Sequence, residues 1–377
     1  MTPSAGILAS TDDAFKASRL ERMVERTTNS YKLYWLRAIV DEVLDRNVSI
    51  PFTRLTARMV ASSWYPINYY HLSFGVQDQL GRAVAVCRKR LGLPMDAKES
   101  VVAAAIESSS DAVVRKCVDD LAKYVPYRLI RLFYEEVGNL RGMPDQLVNA
   151  EVLRLNRADP LGSLYVIDKS KTSISVQSDW VTYLSDNRLV VQGWLDMRTV
   201  QYLQSRNPSI PAIPSKIHAP QKRDLAAAKR YWSDAMSDHT FACIYTGFTF
   251  SQSSFDAFGP MSIDHFIPWS FVLHDEPWNL IPAFRDTNSS KGDRLPSLDR
   301  YLDAFCAQQF DALMTIRQKG GHGRILDSYV QMGAEVSCFE RNVGSLESFS
   351  DCIKKAVVPL HQIALNQGFA LWNSTED

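Results

Sequence analysis

The stretch MSIDHFIPWSFVLHDEPWNLIPAFRDTNSSKGDR, residues Met261 to Arg294, places carboxylate, imidazole, amide and amine side chains at spacings that ordinary packing does not explain. A short apolar run, Met261 to Ile263, predicts a strand, and Asn279 to Pro282 predicts the strand that returns after a polar loop. Asp286 to Lys291 offers several helix-capping residues. The stretch therefore predicts the order strand, loop, strand, helix.

The doublet Asp264-His265 stands at the end of the first predicted strand. A strand end suits reacting side chains, because neighbouring strands fix the backbone while the side chains project into open space. Adjacent residues of a strand point to opposite faces, so both serve one site if the chain bends at Pro268 or if the site wraps the strand end. Taken alone, each residue has an ordinary explanation: Asp264 and His265 as polar side chains exposed to solvent, Asn279 as a turn residue and Asn288 as a helix cap. Their combination favours a functional site.

The spacing of these residues resembles the HNH nuclease motif, the ββα-metal finger of colicin-type, homing, restriction and guide-RNA nucleases. His265 is followed by Asn279 fourteen residues later, by Asn288 nine residues after that, and by Lys291 three residues further on. The resemblance extends from about Ala242 to about Leu302. It predicts an HNH unit embedded in a longer chain.

The resemblance implies a role for each motif residue. The residue matching His265 is the general base that takes a proton from the attacking water, and those matching Asp264 and Asn288 are the metal ligands. The residue matching Asn279 holds the loop and, through it, the orientation of the histidine. Lys291 lies where several members carry a basic residue near the phosphate.

Hydrolysis of a phosphodiester accounts for these residue types. The reaction must supply a nucleophile, release an alkoxide and pass through a state with additional negative charge. A carboxylate and an amide oxygen suit Mg²⁺ or Mn²⁺, which prefer oxygen ligands and keep several waters, and such an ion stabilises the developing charge. Neutral histidine, with an ordinary pKa of about 6.5, is a suitable base near neutral pH. Among the motif residues, loss of His265 should therefore lower the rate of cleavage the most.

The stretch departs from many HNH proteins, which carry two CxxC pairs that hold a structural zinc ion. Cys243-Ile-Tyr-Thr246 keeps one cysteine of the first pair, and Phe284-Arg-Asp-Thr287 keeps neither of the second. A structural zinc site needs four thiolate or imidazole ligands. We therefore expect no structural zinc, with Phe284 and neighbouring apolar side chains filling the space.

The composition and net charge of the chain indicate which classes of protein it can belong to. The 377 residues are 46% hydrophobic and 22% charged, which provides apolar material for two or three cores. The formal net charge is zero, so a nucleic-acid-binding surface must be a local basic patch. No apolar run approaches the roughly 18 residues of a membrane span, and the six cysteines show no paired spacing. We therefore expect a cytoplasmic protein with no membrane contact.

Residues 1–148 predict a helical N-terminal domain. Its first firm helix is Tyr31 to Arg46, where apolar residues recur on one face, and the residues before it look loosely ordered. Further helices are predicted near Phe52 to Ser62, near Gln77 to Leu91 and from Ala97 to about Val137, the last interrupted at Pro126. Four basic residues cluster in this domain: Arg82, Arg88, Lys89 and Arg90. Such a run is usually a solvated helix face, and contact with nucleic acid is the alternative.

Residues 149–215 predict a mixed α/β segment. Three runs rich in Val, Ile and Tyr predict strands: Leu164 to Ile167, Ser173 to Val176 and Arg188 to Gln192. A helix near Leu195 to Ser205 follows. The Pro-rich connection from Asn207 to Pro214 then predicts a domain boundary.

Residues 216–300 predict the HNH nuclease domain, and residues 301–377 a C-terminal helical region that packs on it. A predicted helix from Lys216 to Met236 leads into the nuclease unit. Five cations of this region are the predicted nucleic-acid-binding residues: Lys216, Lys222, Arg223, Lys229 and Arg230. Cations beside a scissile phosphate contact the backbone without reading its sequence.

The sequence thus predicts a mainly α protein with a small α/β segment and an embedded ββα-metal (HNH) finger. The resemblance implies a Mg²⁺- or Mn²⁺-dependent endonuclease that cuts DNA to 5′-phosphate and 3′-hydroxyl ends, in bacterial restriction or phage defence. One finger cuts one strand, so double-strand cleavage requires a homodimer, a second encounter or a partner subunit. Two alternatives stay open: an RNA-cleaving HNH nuclease, and a non-catalytic nucleic-acid-binding or assembly subunit with a silent finger.

Overall fold

The structure, a computed structural model, describes residues 11–25, 27–135, 140, 143–220, 223–319, 328–329 and 345–373. The chain divides into two compact units, Met1–Pro208 with Ile213–Pro220 and Ser209–Ala212 with Gln221–Asp377. The four-part division made from the sequence stays a prediction. Among the described residues, no helix combines the length and the apolar content needed to cross a lipid bilayer.

The described part of the first unit is mainly helical. Its α-helices are α1 Thr11–Val24, α2 Tyr31–Leu44, α3 Phe52–Ser62, α4 Leu80–Leu91, α5 Glu99–Ser108, α6 Ala112–Asp119, α7 Val125–Ile130, α8 Asp145–Ala158, α9 Ser178–Asp186 and α10 Arg188–Arg206. Shorter helical turns are Tyr65–Tyr69, Asp120–Ala122, Arg131–Tyr134 and Ile213–Lys216. The helices predicted at Tyr31 and at Phe52 to Ser62 are confirmed.

A small antiparallel sheet lies in the same unit. Its strands are β1 Ser49–Pro51, β2 Tyr165–Ile167 and β3 Ser173–Val176, in the order β1-β3-β2. Ile174 of the central strand is paired with Ile50 on one side and with Ile167 on the other. All three side chains are buried, so the sheet contributes one apolar layer to the core of this unit.

Two sequence-based expectations for this unit are wrong. Residues Arg188 to Gln192, expected to form a strand, begin α10. The helix prevails because the buried residues of α10 lie on one helical face: Val191, Leu195, Thr199, Tyr202 and Leu203. The N-terminal residues expected to be loosely ordered include α1, which buries Leu20, Met23 and Val24 on one face.

The described part of the second unit surrounds a two-stranded sheet. Its strands are β4 Met261–His265 and β5 Leu280–Phe284, and its α-helices are α11 Ala226–Met236, α12 Gln252–Phe258, α13 Trp269–Val272, α14 Arg285–Lys291, α15 Leu298–Lys319 and α16 Leu346–Asn366. The turn Pro277–Asn279 is a 3₁₀ helix. β4 pairs antiparallel with β5, with Met261 opposite Phe284 and His265 opposite Leu280. The predicted mainly helical fold with an embedded strand-strand-helix finger is confirmed.

Helix α15 holds the ends of both strands. The ring of Phe305 stacks on Phe266, the residue after β4, with 4.1 Å between ring centroids. The buried Gln309 amide donates from Nε2 to the carbonyl oxygens of Leu280 at 2.7 Å and of Pro277 at 3.3 Å. The start of β5 and the end of β4 are therefore fixed to one helix.

Candidate functional site

Three elements bring the motif side chains together. β4 ends with Asp264 and His265, the 3₁₀ turn before β5 ends with Asn279, and α14 carries Asn288 and Lys291. Gly292 adopts φ +56° and ends α14 directly after the lysine, in the left-handed region that glycine enters without a steric penalty.

Asp264 is buried, with both carboxylate oxygens hydrogen-bonded. The Tyr245 hydroxyl donates to Oδ2 at 2.6 Å, and the Lys291 ammonium donates to Oδ1 at 3.1 Å. The same ammonium donates to the backbone oxygen of His265 at 2.7 Å. Burial raises the pKa of Tyr245 well above its usual value and the charge of Asp264 raises it further, so the phenol stays protonated and donates.

The ion pair between Asp264 and Lys291 is almost completely buried, with side chains 3% and 0% exposed. Its position differs from the phosphate contact that the resemblance implies for the lysine. A buried ammonium with two oxygen acceptors instead fixes the carboxylate and the backbone at the end of β4. The structure therefore places Lys291 as a support for Asp264.

Asn279 is completely buried and clamps the chain just beyond the histidine. Its Oδ1 accepts from the backbone N–H of Ile267 at 2.8 Å, and its Nδ2 donates to the carbonyl of the same residue at 2.9 Å. The Asn279 carbonyl also accepts from the N–H of Phe266 at 2.9 Å. These bonds suit the loop-holding role that the resemblance implies for this residue.

Asn288 faces β4 from the first turns of α14. Its Nδ2 donates to the carbonyl of Ile263 at 3.2 Å and to the hydroxyl of Ser262 at 3.1 Å. Since the amide nitrogen makes both bonds, Oδ1 is the atom of this side chain that can hold a cation. The side chain thus lies beside the backbone that immediately precedes Asp264.

His265 has a partner that the sequence did not reveal. Its Nε2 lies 2.7 Å from Oδ1 of Asp275, and the ring is 5% exposed. Leu273 ends α13 in the left-handed conformation, with φ +56°, and the chain turns there toward Asp275. The sequence carries no signal for this contact, because no spacing rule links Asp275 to a histidine ten residues earlier.

The donor set fits a hard divalent cation. Among the described residues, no group of three or more His, Cys, Asp and Glu side chains could hold a metal ion. Asp264 and Asn288 instead offer a carboxylate and an amide oxygen, and each Asp264 oxygen keeps a second lone pair beside its internal hydrogen bond. Mg²⁺ and Mn²⁺ accept such a set because waters and substrate complete their coordination.

Aromatic rings occupy the end of β5. Phe284 is buried, with ring centroids 4.9 Å from Phe250 and 5.3 Å from Phe258. Cys243 is also buried, in a tight turn where its carbonyl accepts from Gly247 N–H at 2.8 Å. Apolar packing around Phe284 agrees with the expectation from the sequence, and the absence of a structural zinc stays a prediction.

The predicted nucleic-acid-binding cations have different surroundings. Lys216 is 0% exposed, and burial lowers its pKa to about 7. We therefore correct the prediction and remove Lys216 from the set, because a fully buried amine cannot meet a phosphate. Lys222 lies outside the described residues. Arg223, Lys229 and Arg230 are exposed, and the Arg223 guanidinium lies 5.1 Å from the ring centroid of Trp269, the first residue of α13.

Part of the chain matches a known protein family. Residues 243–297 match the family described as HNH endonuclease. No curated protein and no solved structure matches the chain. The matched range contains all the site residues described above: Tyr245, Asp264, His265, Asp275, Asn279, Asn288 and Lys291.

Proposed function

We propose that this chain, whose residues 243–297 form an HNH endonuclease domain, hydrolyses phosphodiester bonds of DNA with the help of Mg²⁺ or Mn²⁺. One observation carries the proposal. At the end of β4, His265 contacts the Asp275 carboxylate, and Asp264 and Asn288 lie beside it with side-chain oxygens. The family match supports a nuclease acting on nucleic acid, and the choice of DNA is our own.

His265 is the proposed general base. A neutral imidazole that donates its Nε2 proton to Asp275 keeps Nδ1 as the acceptor. In our proposal, Nδ1 takes a proton from the water that attacks phosphorus. Asp275 is a positioning residue, because it touches the histidine and not the reacting atoms. The clamp from Asn279 to Ile267 holds the backbone that carries the ring.

Asp264 and Asn288 are the proposed ligands of the divalent ion. When bound, such an ion stabilises the negative charge that develops on the phosphate and the leaving oxygen. Tyr245 and Lys291 hold the Asp264 carboxylate from two sides, and the Asn288 amide is held by the backbone of β4. The ligands are therefore preorganised by contacts within the domain.

Arg223, Lys229 and Arg230 form the proposed backbone-binding surface. All three are exposed, and α11, which carries the last two, packs on β4 and β5. The contact between Arg223 and Trp269 ties this surface to the residue that follows Pro268 at the site. Cations in this position would hold phosphates near the scissile bond without selecting a sequence.

Lys229→Ala and Arg230→Ala should each weaken binding of duplex DNA, measured in the cleavage-deficient His265→Ala background. The logarithm of the affinity falls linearly with the logarithm of the salt concentration. Each lost phosphate contact should make this fall shallower by about 0.9. Lys355→Ala, which removes an exposed lysine of α16, is the matched control and should leave the slope unchanged. An unaltered slope in both variants would show that neither Lys229 nor Arg230 contacts the DNA phosphates.

Cleavage of supercoiled plasmid by the purified chain tests the function directly. We expect nicked circles with Mg²⁺ or Mn²⁺ and intact plasmid with a chelator, and linear product only if two fingers act together. A matched RNA, digested in parallel, distinguishes the substrates. Metal-dependent cleavage of RNA alone would favour the RNA nuclease, and no cleavage of either would favour a silent finger.

The biological setting we propose is restriction or phage defence in a bacterial cytoplasm. Its support is the resemblance to lone HNH proteins with a helical partner region, together with the free thiols of four described cysteines: Cys87, Cys117, Cys243 and Cys306. Cells that make the wild-type chain should yield fewer plaques than cells that make His265→Ala. Equal plaque numbers across a phage panel would remove this part of the proposal.

A further inference from the structure

The first unit contains a cavity of about 1100 Å³. Its wall is built from residues 27–29, the first turn of α2, α4, α6 and the chain from Asp120 to Arg131. All the lining residues belong to this unit. The proposed nuclease chemistry uses none of them.

Positive charge is concentrated in this cavity. Five cationic side chains and one carboxylate line it: Lys32, Arg82, Lys116, Arg128 and Arg131, with Asp120. The local excess is four positive charges, 5 − 1, in a chain whose formal net charge is zero. In the part of the chain that the structure describes, Lys32, Arg82 and Lys116 form no salt bridge with an acidic side chain. We name this space the basic cavity.

The inner cations of the basic cavity lie close enough to repel one another. Burial lowers the pKa of Lys32, and the charges of Arg131 and Arg128 lower it further, against an opposite effect of Glu135. Arg131 donates from Nη2 to the carbonyl of Leu140 at 2.8 Å, whereas its buried Nε has no hydrogen-bond partner within the described residues. A bound anion would relieve both the repulsion and the missing bond.

The rest of the wall is apolar and aromatic. Val86, Val113, Leu121 and Val125 contribute aliphatic surface, and Tyr31 and Tyr124 contribute rings. Binding sites for small molecules commonly combine such apolar walls with a few polar groups that fix the orientation of the ligand. The basic cavity therefore suits a ligand with a flat apolar part and an anionic part.

The size of the basic cavity excludes duplex DNA. A cube of 1100 Å³ is about 10 Å on a side, whereas the major groove of B-DNA alone is about 12 Å wide. The volume lies just above the range of about 300–1,000 Å³ that is usual for small-molecule sites. A nucleotide, with one base, a sugar and a chain of phosphates, matches the size and the chemistry of the wall.

We propose that the basic cavity binds a free nucleotide, with its phosphates on Lys32, Arg128 and Arg131 and its base against the apolar wall. The proposal is independent of the nuclease activity, since none of these residues belongs to the HNH domain. It assigns to the helical first unit a ligand that differs from the DNA substrate proposed for the second.

Calorimetric titration of the full chain in the presence of a chelator tests this proposal. The probes are ATP, adenosine, inorganic tripolyphosphate and a 5′-phosphorylated single-stranded hexathymidine. We expect ATP to bind at least about tenfold more tightly than adenosine, since charge-assisted contacts to phosphate are lost with the nucleoside. ATP should also exceed tripolyphosphate, because the base adds contact with the apolar wall.

Two variants locate the binding. Lys32→Gln removes an inner cation, and Lys116→Glu reverses an exposed charge on α6, where misfolding is not expected. Each should weaken ATP binding by about tenfold or more, Lys32→Gln because it removes a charge-assisted contact with phosphate and Lys116→Glu because it places a negative charge on the cavity wall. Lys89→Gln is the matched control, because this exposed lysine of α4 lies outside the wall, and it should bind ATP like the wild-type chain.

Each opposing result overturns a defined part of the proposal. Equal binding of ATP and adenosine, or wild-type binding of ATP by both cavity variants, would overturn the site. Equal binding of ATP and tripolyphosphate would overturn recognition of the base. Binding of the hexathymidine much more tightly than ATP would overturn the free nucleotide and assign the cavity to the end of a single strand.

Discussion

His265→Ala is expected to lower the rate of DNA cleavage by about 10²- to 10⁴-fold, the usual contribution of a positioned general base. The ring is the imidazole that β4 brings beside Asp264, and Asp275 lies 2.7 Å from its Nε2, which in the proposed tautomer leaves Nδ1 as the proton acceptor. Single-turnover cleavage of a labelled duplex measures the loss. His239→Ala, which removes an exposed histidine of the same unit, should cleave at the wild-type rate. Equal rates for both variants would exclude His265 as the base.

The contact of Asp275 with this histidine predicts a second, smaller loss. Asp275→Asn keeps the size of the side chain but removes the charge that orients the imidazole, and it should lower kcat by about 10²-fold, the cost of misplacing a reacting group by about 1 Å. KM should change little, because Asp275 makes no proposed contact with DNA. Asp275→Glu should recover part of the rate. A raised KM with an unchanged kcat would instead indicate a role in substrate binding.

Asp264→Ala should destabilise the second unit by about 3–5 kcal/mol, the typical cost of removing one partner of a buried ion pair. The change leaves the Lys291 ammonium and the Tyr245 hydroxyl buried without their acceptor. Urea unfolding of the full chain measures the effect. Arg285→Ala is the control on α14, the helix that carries Lys291. It removes an exposed ion pair with Asp286 and should have little or no effect on stability.

The double variant Asp264→Ala with Lys291→Met separates stability from catalysis. Replacing the ammonium with an apolar side chain removes the buried unpaired charge, so most of the lost stability should return. Neither Asp264→Ala nor the double variant should cleave DNA, because both lack the proposed metal ligand. A double variant less stable than Asp264→Ala alone would mean that Lys291 supports the fold through contacts other than this ion pair.

The finger could be predicted from the sequence because its spacing is local. The interval between His265 and Asn279 fixes a loop between paired strands, and the interval from Asn288 to Lys291 places both side chains on one face of a short helix. The order of strands and helix followed from two short apolar runs and from the helix-capping residues after the second. The family match over residues 243–297 agrees with that interpretation.

Other features of the site depend on tertiary packing, for which the sequence carried no signal. Tyr245 reaches Asp264 from nineteen positions earlier because its ring packs against Tyr301 and Trp372, each with 5.2 Å between ring centroids. Asp275 reaches His265 through the turn at Leu273. Lys216 carries the positive charge expected of a residue that contacts DNA, yet the fold buries it completely. Charge and periodicity do not specify which polar side chains become buried.

The ammonium of Lys291 gives the domain an internal counter-charge for the carboxylate that is proposed to hold the catalytic ion. An acidic site without such a partner would depend on a bound cation to remain closed and folded. Here the protein neutralises that charge itself, so under the proposed mechanism the supply of the divalent ion would control activity and not stability of the fold. The domain would then stay folded and inactive until the ion and its substrate arrive together.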